Sequence, residues 1–472
     1  MRFYSEGQWQ DRPQRVEVID PASGEVIDTV PQASREDVER AIAAAVDGAT
    51  PMRQLTAFER FEILARAVDL LHQRREDMAR TISQEEGKTL AEARAEVHRS
   101  IQTLQLSAEE AKRIFGEVVP LDAGAGVRQK FGFTLRVPCG VVVAITPFNF
   151  PLNLVCHKVG PGLAAGNSVI LKPASDTPLS ALRLVEILLE AGLPPLAITC
   201  LTGRGSEIGE ALCTDRRVRK ISFTGSREVG ERICRMAGLK RVTMELGSNS
   251  PLIILPDADV DKVVEATVIC GYANAGQVCI SAQRIIATPE IEAEYLQKLI
   301  PRVEQLRVGN PLDERTEMGP MVRQADAERV EQWLREAAAG GARLACGGTR
   351  DGAFLHPAVL TNVRTDMRVW REELFGPAVA VMRADSVEQA IELANDTAYG
   401  LSAGVFTQDI DRVIQLAQRI EAGNIHINWG PMWRTDLMPY GGLKESGLGR
   451  EGPRYAMEEM TEVKTVVIHL GQ

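Results

Sequence analysis

The sequence has no CxxC cysteine pair and no cysteine and histidine spacing of the kind that binds zinc. Its 472 residues hold eight cysteines and six histidines, scattered along the chain. We therefore expect neither a disulfide framework nor a metal site, and we predict a cytoplasmic protein whose cysteines stay reduced. The first ten residues, MRFYSEGQWQ, also lack the apolar core of a signal peptide.

Long apolar runs are absent as well. The longest, residues 140–155, is interrupted by two prolines and two asparagines, whereas a bilayer-spanning helix needs about 20 apolar residues. Basic residues are outnumbered, since 54 Lys and Arg face 64 Asp and Glu, for a net charge of −10. We therefore predict no membrane partner and no nucleic-acid partner. The remaining composition, 44% hydrophobic and 25% charged residues, is typical of a globular protein.

Apolar periodicity predicts helices first and then alternating strands and helices. Ser34 and Asp37 indicate a capped helix to about residue 48, Thr56 precedes a long amphipathic stretch, and a third helix is predicted for about residues 83–114. From about residue 135, short β-branched runs such as GVVVAIT alternate with helical patterns, and a similar alternation starts near residue 250. The sequence therefore predicts an α/β fold with two open, twisted α/β domains joined near residue 247.

The C-terminal run TVVIHL predicts a strand without a sequential partner. An open strand edge can pair with another chain. We therefore expect this tail to take part in a homo-oligomer.

Cys279 is the first candidate for chemistry. A buried cysteine is most often a small core residue. Here, however, the segment GQVCIS and the preceding Gly271 and Asn274 indicate a polar turn rather than the interior of a helix or strand. A turn can present a thiol, and a thiolate is a strong nucleophile whose pKa is lowered by a helix N-terminus or a nearby donor.

Two more polar residues stand at the ends of predicted strands. Glu245 closes the run RVTMELG, where it is either a solvated strand end or a buried general base with a raised pKa. Asn149, in ITPFNFP, is either a turn former or an amide that donates to a developing oxyanion. The residues alone leave both alternatives open.

A dinucleotide site has weaker signals. The GxGxxG fingerprint is missing after the first strand of the alternating region. Gly225 and Ser226 instead occupy a predicted strand-to-helix junction, which offers backbone N–H groups to a pyrophosphate. Lys172 ends another predicted strand, where it is either solvated or bonded to a ribose or phosphate.

Together these segments resemble the aldehyde dehydrogenase superfamily in order and spacing, from about residue 15 to the C-terminus. The motifs that carry the resemblance are PFNFP, LKPAS, FTGS, MELGSNSP, GQVC, EELFGP and PYGGLKESGLGREG. Glu245 precedes Cys279 by 34 residues, as in the family. The resemblance implies an NAD(P)-dependent oxidation of an aldehyde to a carboxylic acid.

The resemblance also implies roles for particular residues. Cys279 would be the catalytic thiol, Glu245 the base for hydrolysis, and Asn149 part of the oxyanion hole. The implied cofactor ligands are Lys172 and Glu373 for the two riboses, Gly225 and Ser226 for the pyrophosphate, and Phe375 beside the nicotinamide. The stretch GGLKESGLGREG, which could be an ordinary glycine-rich loop, is assigned no catalytic residue.

By the same resemblance, residues 1–115 and 136–247 form the dinucleotide-binding domain and residues 248–443 the catalytic domain. Residues 116–135 and 453–472 form a small β arm for oligomerisation, with a dimer and a tetramer both open. Retention of a base at Glu245 argues against the branch that passes its thioester to coenzyme A.

Either NAD or NADP is expected as cofactor. In NAD-preferring members a Glu commonly follows the LKPA stretch and would repel a 2′-phosphate; here the residue is Ser175. A small hydroxyl tolerates the phosphate, with Lys172 as its counter-charge.

The substrate class follows from analogy and charge. The stretches IQTLQLSAEEAKRIFGE and RYAMEEMTEVKT resemble lactaldehyde, non-phosphorylating glyceraldehyde-3-phosphate and phosphonoacetaldehyde dehydrogenases. Members that handle phosphorylated aldehydes usually carry Arg before the nucleophile, whereas this chain has Val278. We therefore predict a small hydroxy-aldehyde such as lactaldehyde, or a singly anionic aldehyde held by Arg99, His157 and Arg434. A succinate-semialdehyde-type or phosphonate and phospho-aldehyde dehydrogenase is the alternative.

Two other functional classes are less consistent with the sequence. A non-catalytic relative of the same fold predicts damage at Cys279, Glu245 or Asn149, and all three are intact. A thiol hydrolase or acyltransferase needs a histidine beside the thiol, and the six histidines show no recognisable Cys/His signature.

Overall fold

An eight-stranded sheet forms the first half of the molecule. The computed structural model describes residues 1–471. The five central strands are parallel, and an antiparallel strand pair and one short antiparallel strand extend the two edges. In spatial order the strands are Gln8–Gln10, Phe3–Ser5, Ile198–Cys200, Ser168–Lys172, Val141–Ile145, Val218–Thr224, Arg241–Glu245 and Gly447–Leu448.

Both faces of this sheet are covered, which explains its continuous apolar runs. Along the strand Val141–Ile145, Val141 and Val143 enter one apolar core, while Val142 and Ala144 enter another on the opposite face. Successive strand side chains point to opposite faces, so a sheet buried on both sides needs apolar residues at every position.

Four of the eight helices of this half begin at a residue whose side chain caps the first turn. Ser34 with Asp37 and Thr56 with Glu59 each form a reciprocal capping box. The helices of this half are Arg35–Gln54, Ala57–Gln73, Arg75–Glu86, Leu90–Ala111, Asn153–Ala164, Leu179–Glu190, Gly205–Thr214 and Arg227–Ala237.

A seven-stranded sheet forms the second half. All of its neighbouring strands are parallel except the first pair, and a single large apolar core surrounds it. Its strands, in spatial order, are Arg343–Cys346, Ala358–Thr361, Ala378–Arg383, Arg284–Ala287, Pro251–Ile254, Ser402–Phe406 and Asn424–Ile427. Its helices are Val260–Tyr272, Pro289–Glu304, Gln324–Ala339, Arg368–Arg371, Val387–Asn395 and Ile410–Arg419. The predicted α/β fold with two open sheets is confirmed.

A small antiparallel sheet joins the end of the chain to its middle. Thr461–His469 pairs along its whole length with Lys130–Pro138, which pairs in turn with Val118–Val119. The C-terminal strand therefore has a partner within the chain, although that partner is not adjacent in sequence. Its partner lies more than 300 residues earlier in the sequence, and sequential reading cannot find such a pairing. The other edge of Thr461–His469 faces no strand of residues 1–471.

The remaining elements are short. Two two-stranded ribbons pair Arg15–Ile19 with Val26–Pro31 and Arg350–Asp351 with Phe354–Leu355. The helix Pro453–Glu459 precedes the last strand, and single 3₁₀ turns occur at Leu121–Ala123, Pro195–Ala197, Ala273–Gly276 and Lys444–Ser446. Among the described residues, no helix combines the length and the apolarity that crossing a bilayer requires.

Three helix limits differ from the prediction. The first helix runs six residues past residue 48, because Pro51 lies in its last turns without ending it. The amphipathic stretch after Thr56 is two helices, which are separated at Arg74. The third helix begins only at Leu90, because Gly87 adopts a left-handed conformation that ends the preceding helix.

Candidate active site

The candidate residues of the first sheet lie along one edge. The strand register aligns Ile145 with Lys172 and Thr224 with Glu245, all at or near the carboxyl ends of parallel strands. The strand order reverses between Val141–Ile145 and Val218–Thr224. Open parallel sheets bind ligands at such a switch point. Asn149 follows the first of these two strands, and Gly225 follows the second.

Cys279 follows a turn with an unusual backbone. Asn274, Ala275 and Gly276 are all left-handed, with φ of 51°, 53° and 71°. A Cβ on Gly276 would lie 2.1 Å from the Gly376 carbonyl oxygen, so the close approach requires glycine. A left-handed alanine is strained, and such strain persists only where surrounding contacts determine it.

Two carboxylates of the first half hold this turn. The Asn274 backbone N–H donates to Glu92 Oε1 at 2.7 Å, and its side-chain Nδ2 donates to Glu86 Oε1 at 2.8 Å. Glu92 begins the helix Leu90–Ala111, and Glu86 ends the helix Arg75–Glu86. The position of the thiol therefore depends on helices that lie about 190 residues earlier in the chain.

The Cys279 side chain lines a cavity of about 300 Å³. Its sulfur lies 3.4 Å from the Tyr440 hydroxyl. Burial raises the pKa of the Cys279 thiol to about 11, against the opposing effect of the Tyr440 hydrogen bond. Irregular turns rather than a helix N-terminus surround Cys279. Its burial outweighs the effect of the nearby Tyr440 donor on the thiol pKa.

Glu245 lines the same cavity and is 3% exposed, which excludes the solvated strand end. Neither of its carboxylate oxygens has a hydrogen-bond partner within residues 1–471. Burial raises the pKa of Glu245 well above its ordinary value, and the negative charge of nearby Glu451 raises it further. A carboxylate in this state is a strong base that lacks a fixed partner, which suits the activation of a water.

Asn149 is packed against the thiol turn. Its Nδ2 donates to the Gln277 carbonyl at 2.8 Å, two residues before Cys279, and its own backbone carbonyl accepts from Lys88 Nζ at 2.6 Å. A primary amide has two N–H groups, so one remains for another acceptor. The arrangement permits donation to an oxyanion formed beside the thiol.

Lys172, Ser175, Gly225 and Ser226 lie at the sheet edge. The buried Lys172 ammonium donates to the Pro173 carbonyl at 2.9 Å, and burial lowers its pKa to about 8. Ser175 donates from Oγ to the Gly203 carbonyl at 2.9 Å. Ser226 caps the eleven-residue helix Arg227–Ala237, directly after Gly225. A buried ammonium and an accessible helix N-terminus suit the ribose and phosphates of a dinucleotide.

Glu373 and Phe375 come from the second half of the chain. Glu373 Oε1 accepts from the Ser248 backbone N–H at 2.9 Å, and burial raises the pKa of Glu373 to about 7. A Cβ on Gly247 would lie only 2.4 Å from Glu373 Oε2, so this contact requires the glycine. Phe375 has a left-handed φ of 47° and packs edge-on against Phe148, with ring centroids 5.9 Å apart.

Arg99 and Arg434 line the Cys279 cavity, and a buried polar network lies behind them. Arg99 donates to Asp436 Oδ1 at 2.8 Å, and His157 Nε2 lies 2.8 Å from the same oxygen. Arg434 contacts Glu451 Oε2 at 3.4 Å and His157 Nδ1 at 3.3 Å. The Nε atoms of both arginines are buried and have no partner among the described residues.

The charges of this network leave a cation in excess. Lys158 bonds Glu451 at 2.7 Å, so three cations, Arg99, Arg434 and Lys158, face two carboxylates, Asp436 and Glu451. Burial and Arg434 lower the pKa of His157 to about 4, so His157 is neutral at pH 7. Within this network one cation is therefore not matched by a carboxylate, while the cavity lining as a whole also contains Lys88, Glu92, Glu96 and Glu245.

The structure thus brings Cys279, Glu245, Arg99 and Arg434 into one cavity, whereas His157 lies behind Arg434. Lys172, Ser175 and Ser226 are not part of the cavity lining. Sequence reasoning missed Tyr440, Asp436 and Glu451. Tyr440 and Glu451 lie within PYGGLKESGLGREG, a motif that carried the resemblance but no catalytic assignment, and no local pattern marks Asp436.

The family model, the sequence relatives and the solved structures that match this chain all point to the same family. Residues 9–466 match the model of the family described as "Aldehyde dehydrogenase family". The 3-sulfolactaldehyde dehydrogenase of Priestia aryabhattai is 48% identical, over 99% of this chain and 98% of that protein. The lactaldehyde dehydrogenase of Methanococcus aeolicus is 38% identical, over 99% of this chain and 100% of that protein. The crystal structure of glyceraldehyde-3-phosphate dehydrogenase GapN from Methanocaldococcus jannaschii, complexed with NADP, superposes with a TM-score of 0.94 at 39% identity, over 97% of this chain and 100% of that chain.

Proposed function

The chain belongs to the aldehyde dehydrogenase family, and from this premise we propose that it oxidises a small, singly anionic aldehyde to the carboxylic acid. It is an NAD(P)-dependent enzyme that oxidises aldehydes. The substrate class and the residue roles below are our proposals.

The observation that carries the proposal is the pair of arginine side chains that lines the cavity beside the thiol. Arg99 and Arg434 line the cavity of Cys279, and each retains a buried, unpaired Nε donor. An anionic group on the substrate would form charge-assisted hydrogen bonds with these guanidinium groups. The cavity of about 300 Å³ suits a molecule of a few carbon atoms.

The similarity to known enzymes supports two substrate candidates. The 48% identical relative is named for a sulfonated aldehyde, which carries one negative charge, and the 38% identical relative is named for the uncharged lactaldehyde. Val278, beside the nucleophile, is apolar and adds no further cation for a doubly charged phosphate. We therefore place sulfonated or carboxylated aldehydes first and lactaldehyde second.

Cys279 would attack the aldehyde carbon. A carbon–sulfur bond forms, the carbonyl π bond breaks, and the negative charge moves to the carbonyl oxygen. The free N–H of the Asn149 amide would donate to that oxygen, helped by the backbone N–H of Cys279. Arg99 and Arg434 would hold the anionic end of the substrate, so that only the aldehyde carbon reaches the sulfur.

The dinucleotide would lie along the sheet edge. Lys172 and Glu373 would hold its riboses, Gly225 and Ser226 its pyrophosphate, and Phe375 would pack beside the nicotinamide. When bound, the nicotinamide supplies a two-electron acceptor for the hydrogen on the aldehyde carbon. The buried ammonium, the helix N-terminus and the Glu373 carboxylate against Gly247 all fit such a ligand.

Glu245 would then release the acid. Cys279 holds the acyl group as a thioester, and Glu245 takes a proton from a water that attacks the thioester carbon. The carbon–sulfur bond breaks and the carboxylic acid leaves. The raised pKa of Glu245 makes it a strong base, and its unpartnered oxygens leave room for the water.

The assembly, the domain division and the cellular location are also proposals. Residues 1–115 and 136–247 would bind the dinucleotide, 248–443 would supply the thiol, and 116–135 with 453–472 would form an oligomerisation arm. Exposed apolar residues on the arm support a homo-oligomer, either a dimer or a tetramer; among them are Phe131, Leu135, Val463 and Val467. Eight free thiols support a reducing compartment such as the cytoplasm.

A panel of aldehydes tests the proposed function. The purified protein would be assayed with 3-sulfolactaldehyde, succinate semialdehyde, lactaldehyde, propionaldehyde and glyceraldehyde 3-phosphate, each with NAD and with NADP. We expect kcat/KM for the singly anionic aldehydes to exceed that for uncharged ones by about 10-fold or more, the value of one charge-assisted hydrogen bond. Equal kcat/KM for charged and uncharged aldehydes would contradict the anionic substrate class.

Substitutions at Cys279 and Arg434 test the roles proposed for these two residues. Cys279→Ala should abolish oxidation, whereas Cys346→Ala, at a buried cysteine of the second half, should not. Arg434→Gln should remove the preference for anionic aldehydes, whereas Arg335→Gln, at an exposed arginine paired with Glu331, should preserve it. An unchanged preference in Arg434→Gln would show that this guanidinium does not bind the substrate.

A further inference from the structure

Tyr440 is held firmly against the proposed nucleophile. Its ring is 3% exposed, and its hydroxyl lies 3.4 Å from the Cys279 sulfur. The backbone N–H of Tyr440 donates to the Glu451 carbonyl at 3.1 Å, and the Glu451 N–H donates back at 2.7 Å. The Arg434 guanidinium stacks on the Tyr440 ring at 3.8 Å. Backbone and ring contacts together fix the position of the hydroxyl.

The contact between the Tyr440 hydroxyl and the Cys279 sulfur is stronger when the sulfur is a thiolate than when it is a thiol. In the thiol state, either the S–H or the O–H can donate. In the thiolate state only the hydroxyl can donate, and the bond becomes charge-assisted and stronger. The Cys279 sulfur makes no other hydrogen bond within residues 1–471. Removal of the hydroxyl would therefore leave the anionic sulfur without a hydrogen-bond donor.

We propose that Tyr440 is a catalytic residue whose hydroxyl donates to the Cys279 sulfur and stabilises the anionic form that attacks the aldehyde. In this step the thiol proton passes to a solvent water, the sulfur lone pair forms the bond to carbon as the carbonyl π bond breaks, and the Tyr440 proton stays on its oxygen. The inference rests on the proposed role of Cys279 as nucleophile.

The hydroxyl keeps its proton throughout. Burial raises the pKa of Tyr440 well above 10, and the negative charges of Cys279 and Glu245 add to this effect. The cation of Arg434 opposes the shift and polarises the ring, which makes the hydroxyl a better donor. Arg434 would thus have two roles. It binds the anionic group of the substrate, and it strengthens the hydrogen bond from Tyr440 to the nucleophile.

Other charged groups near the sulfur also affect the stability of the thiolate. Glu245 and Glu373 disfavour the thiolate, whereas Arg434 favours it. The further charged groups of the cavity lining are Lys88, Glu92, Glu96, Arg99 and Glu451. A Tyr440→Phe change removes one oxygen atom and no charge, so these groups keep their net contribution.

The test measures the pH dependence of Cys279 alkylation. Full-length protein would be treated with iodoacetamide across a pH series, with and without NADP, and the Cys279 peptide would be quantified by mass spectrometry. A hydrogen bond to a charged group corresponds to a shift of about 1 to 2 pH units, so Tyr440→Phe should raise the midpoint by that amount. At neutral pH its alkylation should slow about 3- to 10-fold, because higher nucleophilicity partly offsets the smaller thiolate fraction.

Tyr295→Phe is the matched control. Tyr295 is also fully buried, and its hydroxyl bonds Thr267 at 3.0 Å in the second half of the molecule. The control should leave the Cys279 profile unchanged. Superimposable profiles for Tyr440→Phe and the parent would overturn the inference, as would an equal shift in the control.

A second variant strengthens the donor instead of removing it. Fluorination of the ring acidifies a phenol, so 3-fluorotyrosine at position 440 should lower the alkylation midpoint while it preserves the packing. A shift in the same direction as Tyr440→Phe would overturn the inference. Loss of turnover in Cys279→Ala remains a separate test of the proposed function, because alkylation of Cys279 requires no substrate.

Discussion

His157 and Asp436 are joined by a hydrogen bond of 2.8 Å behind the wall of the cavity. Because His157 is neutral and Asp436 is a carboxylate, Nε2 of His157 carries the proton and donates it. Nδ1 is then an acceptor, and it faces an N–H of Arg434 at 3.3 Å. Asp436 also accepts from Arg99 at 2.8 Å. One carboxylate therefore orients both arginines, one directly and one through an imidazole.

Replacement of His157 should weaken the binding of anionic substrates without a change in the net charge of the site. His157→Leu removes the acceptor for Arg434 and the donor for Asp436. We expect KM for singly anionic aldehydes to rise about 5- to 30-fold, from the loss of hydrogen bonds to charged groups, and KM for propionaldehyde to stay within about twofold. Steady-state kinetics would measure both. His98→Leu, on the exposed face of the helix that carries Arg99, is the control, and an equal rise in KM for both aldehydes would contradict the positioning role.

Glu245→Gln should separate the two halves of the reaction. The first turnover should still reduce the cofactor in a burst, while steady-state turnover should fall about 100-fold or more, the usual contribution of a general base. Rapid-mixing absorbance would show both phases. Glu294→Gln, at an exposed glutamate, should behave like the parent.

The rate of thioester hydrolysis should increase with pH. Since burial and Glu451 raise the pKa of Glu245 above its ordinary value, the basic carboxylate is populated only as the pH rises. Hydrolysis by the parent should therefore accelerate from acid to alkaline pH, and Glu245→Gln should lose this dependence. A parent profile that falls as the pH rises would exclude Glu245 as the base.

Ser175→Glu should select against NADP. A carboxylate at this position would face the 2′-phosphate, and like charges at close range in a protein of effective dielectric about 20 repel by several kcal/mol before screening. We expect KM for NADP to rise about 10-fold or more and KM for NAD to change little. Initial-rate kinetics with both cofactors would show this. Ser175→Gln supplies the same bulk without charge, and a similar loss of NADP use in that variant would point to steric exclusion instead.

Val467→Asp should weaken the assembly. Val467 is 43% exposed on the strand Thr461–His469, whose outer edge is open within residues 1–471. A charge in the middle of an apolar interface is costly to desolvate. Light scattering after size exclusion should show a smaller species than the parent forms. Ile410→Asp, at an apolar residue 69% exposed elsewhere, should leave the mass unchanged. A monomeric parent would refute the oligomer itself.

Local sequence patterns predicted the elements whose signals are local. The capping boxes at Ser34 and Thr56 and the buried strands of both sheets follow from caps and apolar runs. The break at Arg74 was missed, because the amphipathic pattern continues through it. The pairing of Thr461–His469 with Lys130–Pro138 joins distant segments, so no local pattern shows it, and only the family resemblance grouped residues 116–135 with 453–472.

In the candidate site, too, the sequence does not show which distant residues come into contact. Resemblance to a family pointed to Cys279 and Glu245, and the structure places both in one cavity. The residue types alone do not predict the pKa of the Cys279 thiol. Its burial in the folded chain raises that pKa above the ordinary value. Tyr440 and Asp436 act through contacts with residues more than 150 positions away, so no sequence pattern around them reveals their partners.

The left-handed turn at Asn274, Ala275 and Gly276 has a consequence for the newly made chain. The turn depends on Glu86, Glu92 and Gly376, which lie on both sides of it in sequence. A ribosome-bound chain that has not yet reached Gly376 therefore cannot build it. The backbone that presents the sulfur of Cys279 is therefore complete only after segments from both halves of the molecule have folded against it.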